Sequence, residues 1–364
     1  MCKNHHHSPV RCVVPPYMAE KLTKSTNKTV AENAINSKFR NYRFRSDREF
    51  FSLSTVKEKK VLGAISAKTS APKKAALEIY NCKTTTNTAT AKLLWKTGTK
   101  KLPADKDAKN VKTGGETTWQ FYYDLFKRNS VDNLGMVLKQ YIHYDKKYDN
   151  AFWDGRRMIY GDGDGKIFGS FTSDIDIIGH ELTHGVTQFE ANLDYEMQSG
   201  ALNESFSDIF GIMIKQRYLN QDVHQSNWLI GENVLKGAKY ALRSLKAPGT
   251  AYVNHPQLGT DPQPATMDKF VKLPNTDDGD YGGVHYNSGI PNYAFYVAAF
   301  NIGGYSWEKA GQIWYAALTD TENLKKDASF ADLKALTVKK ATSLYGTGSL
   351  EVKAVKDAWK TAKV

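Results

Sequence analysis

The sequence predicts an α+β protein whose N-terminal half is rich in β-strands and whose C-terminal half is helical. From about residue 76, short apolar runs such as 77–81 and 138–144 lie between turn residues, which is typical of strands. From Asp174 onward, apolar residues recur every three to four positions, which is the period of an α-helix. A polar, basic stretch precedes both halves. We therefore expect two structural halves behind an N-terminal extension.

Length and composition limit the class of protein. A chain of 364 residues is long enough for two ordinary domains and an extension, and a 41% hydrophobic content supports a substantial core. No run of about 18 apolar residues occurs, so we predict no membrane span. The three cysteines, Cys2, Cys12 and Cys82, are too few and too scattered to predict a disulfide framework or a CxxC zinc site.

The positive charge is concentrated in the extension. Residues 1–75 hold 16 Lys or Arg and 5 Asp or Glu, whereas residues 76–364 hold 34 and 33. Aromatic and basic residues alternate over 39–51, a pattern that also suits single-stranded nucleic acid. Because residues 76–364, here called the body, are nearly neutral, we favour an extension that lies on an acidic, apolar groove of the body. We predict no nucleic-acid partner. A nucleic-acid-binding arm is the alternative.

The extension divides into three parts. Residues 1–18 include a histidine run at 5–7 and indicate a mobile polar end more than a metal site. A weak polar helix is predicted over 19–37, and 57–74 is a Lys-rich linker open to proteolysis. No apolar stretch typical of a Sec signal peptide follows Met1. We therefore expect secretion or release by a non-Sec route, with an intracellular location as the alternative.

The elements of the body follow in chain order. Strands are predicted at 77–81, 93–95 and 138–144, and a helix is predicted over 117–127. The Gly-Asp tract at 161–165 predicts a tight turn, because no closing glutamate of a calcium loop follows it. Five further helices are predicted, over 203–219, 293–300, 307–319, 329–345 and 350–360.

The stretch IGHELTHG, residues 178–185, predicts the chemistry. Residues four apart on a helix share a face, so His180 and His184 can direct two imidazoles at one point. Two such imidazoles suit Zn²⁺, and Glu181 lies where its carboxylate can accept a proton from metal-bound water. The apolar lead-in at 175–178 predicts a helix inside the core. The alternative is a surface helix with two solvated histidines.

A catalytic zinc needs a third protein ligand, and Glu204 follows His184 by 20 residues in the stretch GALNESFSD. Together with HExxH, this stretch resembles the thermolysin family of zinc endopeptidases. Four other stretches follow the order and spacing of that family: NAFW at 150–153, YGDGDG at 160–165, ALRS at 241–244 and GGVHYNSGI at 282–290. The Pro-Pro-Tyr sequence at 15–17 resembles the protealysin-like branch, which has a short propeptide.

The resemblance implies a two-lobed peptidase with the zinc helix between a β-rich lobe and a helical lobe, preceded by a propeptide. We predict a propeptide-like extension and linker over 1–65, the first lobe with the zinc helix over 66–190, and the second lobe over 191–364. The implied function is that of a neutral zinc endopeptidase, made as a precursor that its own propeptide inhibits and that it processes itself. Proteins or peptides would be its substrates.

The resemblance also implies roles around one catalytic zinc ion. The ligands would be His180, His184 and Glu204. Glu181 would be the general base, and Asn203 and Asp208 would orient the two imidazoles. His285 and Tyr195 would stabilise the oxyanion, with Asp280 orienting His285.

Six residues match substrate-binding positions of the family. The peptide backbone would be held by Asn150, Ala151 and Arg243. The side chain that follows the cleaved bond would enter a pocket walled by Phe168, Ile177 and Leu242. Because this wall is apolar, we predict cleavage before large apolar residues. Two other functions stay open, a peptidase that trims short peptides and a binding protein on an inactive scaffold; the intact set of chemical groups argues against the second.

The sequence departs from the family at its double calcium site. Lys215 stands eleven residues after the third zinc ligand, where the family has a glutamate, and Asn227 and Leu229 stand at two later acidic positions. Two acids of the set remain, Asp176 and Glu232. A lysine ammonium can replace the charge of Ca²⁺, so we expect the double site to be lost or reduced.

Overall fold

A mixed six-stranded sheet forms the frame of the N-terminal half. In the computed structural model, which describes residues 11–41, 74–237 and 239–364, the strand order is β1-β5-β6-β4-β2-β3. The strands are β1 (Arg11–Cys12), β2 (Leu77–Asn81), β3 (Lys92–Lys96), β4 (Leu138–Ile142), β5 (Ala151–Trp153) and β6 (Met158–Tyr160). β4 runs parallel to β2 and β6, and the other pairs are antiparallel. The strands predicted in this half are therefore present, with β4 ending two residues early.

A long helix, α3 (Lys106–Phe126), lies against this sheet and exceeds the predicted 117–127. Its first half is polar and contains Gly114 and Gly115, which lower helix propensity. Both glycines lie where the helix packs most closely. A Cβ on Gly114 would lie 2.4 Å from Ile178, and one on Gly115 would lie 2.8 Å from Leu77. Tertiary packing, which the local pattern does not show, therefore selects the glycines and extends the helix.

The C-terminal half is helical. Its helices are α4 (Ile175–Phe189), α5 (Met197–Leu219), α6 (Asp280–Asn287), α7 (Gly289–Ile302), α8 (Ala310–Leu318), α9 (Phe330–Tyr345) and α10 (Leu350–Thr361). A small antiparallel pair, β7 (Leu229–Ile230) and β8 (Arg243–Ser244), follows α5. α5 begins six residues before its predicted start, whereas α9 begins as predicted, with Ser329 and Asp332 forming a capping box.

The crossing of α4 and α5 is the most extensive helix contact of this half. A Cβ on Gly211 of α5 would lie 2.7 Å from the Asp176 carbonyl, and one on Gly179 of α4 would lie 2.9 Å from Ile214. The two glycines let the helix backbones approach each other. Because α4 and α5 carry the predicted zinc ligands, this contact determines the distance between those ligands.

The N-terminal segment, which we define as residues 11–41, is folded onto the body. It contains β1, α1 (Pro16–Thr23) and a helix over 28–41, here α2. The prediction of a single helix over 19–37 is wrong. A non-helical turn at 24–27 separates two helices, and Asn27 accepts a hydrogen bond from the Val30 amide at the start of the second. The buried face of the segment includes Tyr17, Met18, Leu22, Val30 and Ala34. The histidine run at 5–7 and most of 39–51 and 57–74 lie outside the described residues.

His143 ties the end of β4 to two other parts of the body. Its Nδ1 lies 2.8 Å from Asp162 and its Nε2 lies 3.0 Å from Asp105, which caps the start of α3. Asp162 belongs to the predicted tight turn at 161–165, where Asp164 accepts three backbone hydrogen bonds. Asp105, Asp107 and His143 also lie close enough to share a cation, but carboxylates already face both imidazole nitrogens. We therefore interpret the group as a structural ion pair.

We predict that this ion pair makes stability depend on pH. The hydrogen bond to Asp162 outweighs burial and, with Asp105, raises the pKa of His143 to about 9. Since an unfolded histidine titrates near pH 6.5, the stabilisation is complete below about pH 6.5 and is lost as pH rises through about 9. The urea midpoints of the protein and of a His143→Asn variant should therefore differ at pH 6 and converge by pH 10. A difference that is constant over this range would contradict the assignment.

Candidate metal centre and active site

The crossing of α4 and α5 brings three potential metal ligands to one point. His180 Nε2 and His184 Nε2 lie 3.1 Å apart. The Glu204 carboxylate, on α5, lies 3.5 Å from the first of these nitrogens and 3.3 Å from the second. All three side chains are buried, with at most 1% exposed. The predicted ligand set is therefore assembled within the core.

Two α5 side chains determine which nitrogens face this point. His180 Nδ1 donates to Asp208 over 2.8 Å, and His184 Nδ1 donates to the Asn203 side-chain oxygen over 2.9 Å. A neutral imidazole that donates through Nδ1 carries its lone pair on Nε2. Both Nε2 lone pairs therefore point at each other and at the Glu204 carboxylate. The partners predicted to orient the imidazoles are in contact with them.

This donor set fits Zn²⁺. Two lone pairs and a carboxylate within 3.5 Å of one another repel each other, and a shared cation removes the repulsion. Nitrogen ligands about 2.0–2.1 Å from a tetrahedral zinc lie roughly 3.3 Å apart, close to the observed separations. The Cys12 thiol is not part of this group; it donates to the Val14 carbonyl over 3.6 Å.

Glu181 lies beside the ligand set, on the side of the sheet. It is fully buried, and its Oε2 accepts a hydrogen bond from the Trp153 amide over 2.9 Å. Trp153 belongs to β5, so the sheet holds this carboxylate in place. A carboxylate that is held in this way, next to a metal site and not among its ligands, can accept a proton from a bound water.

His285 approaches the site from α6. Its Nδ1 lies 2.6 Å from Asp280, which also accepts its backbone amide over 2.8 Å. The loop before it has left-handed backbone at Tyr281, Gly282 and Gly283, which allows Asp280 to fold back onto the imidazole. Burial opposes the charge, but the attraction of Asp280 and then of Glu204 raises the pKa of His285 to about 9. A hydrogen-bond donor is therefore available on Nε2.

Tyr195 completes this side of the site. Its hydroxyl donates to Glu204 and lies 3.2 Å from His285 Nε2. Tyr195 and His285 therefore stand together beside Glu204. His285 Nε2, joined by a Tyr195 hydroxyl turned away from Glu204, would place two donors at one point, where they can stabilise a negative charge that develops on a carbonyl oxygen.

Asp208 contacts both a predicted zinc ligand, His180, and a predicted peptide-binding residue, Arg243. Its two oxygens accept both Nε and Nη2 of Arg243 over 2.8 Å. Burial opposes its ionisation, but Arg243 and His180 outweigh burial and lower the pKa of Asp208. Asn292 of α7 donates to the same carboxylate over 2.9 Å and was not predicted, because nothing in its local sequence distinguishes it from a core asparagine. One carboxylate therefore positions a ligand and the guanidinium together.

The N-terminal segment occupies the predicted peptide-binding positions. The Val14 amide donates to Asn150 over 3.0 Å, and the Val13 amide donates to the Ala151 carbonyl over 3.2 Å. Arg243 Nη1 donates to the Val13 carbonyl over 2.7 Å. All three residues that were predicted to hold a peptide backbone therefore hold the backbone of this segment.

The predicted pocket residues are all part of the main apolar core. Phe168, Ile177 and Leu242 are fully buried and belong to the same apolar core. A Cβ on Gly231 would lie 2.8 Å from Leu242 and 3.3 Å from Ile177, so these two side chains converge at that glycine. Val13, fully buried, belongs to the same core. The wall is apolar, as the sequence indicated.

A lysine lies at the position expected for calcium. The Lys215 ammonium lies 3.0 Å from Asp176, 2.8 Å from Glu232 and 3.0 Å from the Leu229 carbonyl. Asn227 donates to Glu232 over 2.6 Å. Burial opposes the charge, but the attraction of Asp176 and Glu232 outweighs it and raises the pKa of Lys215. Oxygen atoms that could surround a cation therefore surround an ammonium.

Comparison with known proteins identifies the class. The description "Thermolysin metallopeptidase, catalytic domain" matches residues 28–188, and "Thermolysin metallopeptidase, alpha-helical domain" matches residues 191–364. The chain therefore belongs to the thermolysin family of metallopeptidases. This confirms the predicted family of metallopeptidases and its two-lobed α+β fold.

Individual relatives support the protealysin-like branch of this family. The chain is 50% identical to Protease PrtS of Photorhabdus sp. (strain Az29) over 247 residues, 67% of the chain and 65% of that protein. It is 48% identical to an extracellular metalloprotease of Pectobacterium carotovorum subsp. carotovorum over 68% of the chain and 70% of that protein. The solved precursor of protealysin from Serratia proteamaculans superposes with a TM-score of 0.83 at 40% identity, over 97% of the chain and 99% of that structure.

We predict that Lys215 replaces calcium as the stabilising cation. Lys215→Met leaves the buried carboxylate of Asp176 unpaired, which should cost about 3 kcal/mol in the free energy of unfolding measured with urea. Millimolar Ca²⁺ should leave the urea midpoint of the parent protein unchanged, whereas a Lys215→Glu variant should gain stability from it. Lys246→Met, at an exposed lysine, serves as the control. A parent midpoint that rises with Ca²⁺ would refute the assignment.

Proposed function

We propose that the protein is a neutral zinc endopeptidase, synthesised as a precursor that its N-terminal segment inhibits. One observation carries the proposal. The His180, His184 and Glu204 side chains converge within 3.5 Å, with the buried Glu181 carboxylate on the same helix as the two histidines and the His285 imidazole 3.7 Å from Glu204. Ligands, base and oxyanion donor are the parts that metal-assisted hydrolysis of a peptide bond requires.

The zinc ion, when bound, would lower the pKa of a water molecule and polarise the scissile carbonyl. Glu181 would take a proton from that water and pass it to the leaving amine. The carbonyl oxygen, as it gains charge, would accept hydrogen bonds from His285 and Tyr195. Loss of one such donor typically costs on the order of a hundredfold or more in rate.

Substrate binding would use the contacts that the N-terminal segment makes. Asn150, the Ala151 carbonyl and Arg243 would align an extended peptide along the edge of β5. An apolar side chain after the cleaved bond would enter the pocket of Phe168, Ile177 and Leu242. These backbone contacts have no means of reading other side chains, so proteins of varied sequence would be substrates. We also propose that the enzyme acts after release from the cell.

The N-terminal segment is suited to inhibition because it adds polar anchors outside the cleft. Lys21 donates to the Leu258 carbonyl over 2.6 Å, and Ser25 donates to Gln257 over 2.7 Å. On α2, Asn33 donates to Asp149 over 2.5 Å, close to Asn150 in the chain. These contacts fix the segment over the cleft at two places, so a free peptide would have to displace a tethered competitor.

No helix in the part of the chain that the structure describes is long and apolar enough to cross a membrane.

Peptide mapping tests the proposed function. After release of its N-terminal segment, the purified protein should digest casein, and a zinc chelator should stop the digestion, because the three ligands would no longer hold the ion. Mass spectrometry of the fragments should show large apolar residues directly after most cuts. Glu181→Gln should reduce the rate by several orders of magnitude with zinc still bound, because the base is lost and the ligands are not. Digestion that survives removal of zinc, or cuts mainly before charged residues, would contradict the proposal.

We predict that Asp149 makes binding of the N-terminal segment over the cleft, here called closure, depend on pH. Burial, and then Asp164, raises the pKa of Asp149 to about 8, although Asn33 and Lys147 oppose the shift. An exposed aspartate titrates near pH 3.9, so the proton favours the closed state. Closure should therefore weaken as pH rises from about 4 to about 8, by up to about tenfold in the closing equilibrium per pH unit.

Hydrogen exchange can measure this closure without interference from catalysis. In a Glu181→Gln background, amides of 28–41 should lose protection between pH 6 and pH 8 relative to the same amides in an added Asp149→Asn variant. Comparison at matched pH removes the intrinsic pH dependence of exchange. Asp327→Asn, at an exposed carboxylate, should behave like the parent. Equal protection in the parent and in the Asp149→Asn variant at every pH would show that the proton plays no part.

A further inference from the structure

The N-terminal segment crosses the cleft in the polarity and register of a substrate. We propose that the peptide bond between Cys12 and Val13 is a self-processing site, cut within the same molecule while the segment is bound. The proposal rests on the proposed peptidase function and specifies one bond that the enzyme cuts. Four hydrogen bonds between the cleft and consecutive carbonyl and amide groups of the segment locate that bond.

The oxyanion donor identifies the carbonyl that would be attacked. His285 Nε2 lies 3.1 Å from the carbonyl oxygen of Cys12. The next three groups along the backbone are the amide of Val13, its carbonyl and the amide of Val14, and each is hydrogen-bonded to a peptide-binding residue. The register therefore leaves one bond, Cys12–Val13, between the oxyanion side and the backbone clamp.

Side-chain directions agree with this register. Neighbouring residues of an extended chain point to opposite faces. Val13 belongs to the apolar core that contains Phe168, Ile177 and Leu242, whereas Cys12 belongs to a separate cluster around Phe152. An aliphatic residue directly after the bond therefore lies on the face of the predicted pocket.

The chemical step is ordinary hydrolysis. The oxygen of a water molecule forms a bond to the Cys12 carbonyl carbon, and the bond from that carbon to the Val13 nitrogen breaks. Glu181 transfers the protons of the water, so that Cys12 ends as a carboxylate and Val13 as an ammonium group. No oxidant, reductant or other reactant is needed.

This cut would not by itself free the cleft. The anchors of the segment, Lys21, Ser25 and Asn33, all follow the bond in the chain and stay attached to Val13. The product would remain in the cleft as a tethered peptide with a new amino terminus. Trimming at Cys12–Val13 is therefore a step distinct from release of the segment.

N-terminal sequencing of the full-length, zinc-loaded protein tests the proposal. The chain should convert to a form that begins Val-Val-Pro-Pro-Tyr, with a half-time that stays constant within about twofold over a hundredfold dilution. Glu181→Gln should keep its original N-terminus. Val13→Leu should be cut at the same bond, whereas Val13→Asp should slow the cut at least tenfold because an apolar pocket rejects a carboxylate. Thr29→Asp, at an exposed position of α2, controls for the added charge.

The outcomes separate this inference from the proposed function. If the protein digests casein but the Cys12–Val13 bond stays intact while other bonds of the segment are cut, the inference is wrong. A half-time that shortens in proportion to protein concentration would mean cleavage between molecules and would also overturn it. If neither casein nor the segment is cut by the zinc-loaded protein, the proposed function itself fails.

Discussion

The structure depends on three electron-rich side chains held against their mutual repulsion. Two imidazole lone pairs and a carboxylate lie within 3.5 Å of one another, fully buried, in an interior where unpaired charge is costly. A shared cation makes this arrangement favourable. The close contact of α4 with α5 at Gly179 and Gly211, and the hydrogen bonds that Asn203 and Asp208 accept from the two imidazoles, hold the side chains in place.

The same rigidity extends to the substrate side through Asp208. This carboxylate binds His180 on the metal side and Arg243 on the peptide side, so an error in the position of one would displace the other. The N-terminal segment makes use of this preformed clamp. Its backbone satisfies donors and acceptors that would otherwise face water, and its Lys21 donates to the Leu258 carbonyl of the body.

Much of the site could be predicted because it is encoded locally. HExxH places two imidazoles on one helix face whatever surrounds it, and GGVHYNSGI marks His285 through glycines that its left-handed loop requires. Other features have no local signal. The first half of α3 looks too polar and too rich in glycine for a helix, and the break at 24–27 interrupts a mostly polar stretch. Asn292 reads as an ordinary core residue until Asp208 is placed beside it.

The sequence alone determined the identity of the chemical groups and the family, since each depends on residue type and short spacing. The tertiary structure decided which groups meet. Asp149 near Asn33, the carbonyl of Cys12 at His285 and the clamp of Arg243 on Val13 join residues more than a hundred positions apart. Such contacts follow from how sheet, helices and segment pack, and packing is a property of the whole chain that no local pattern contains.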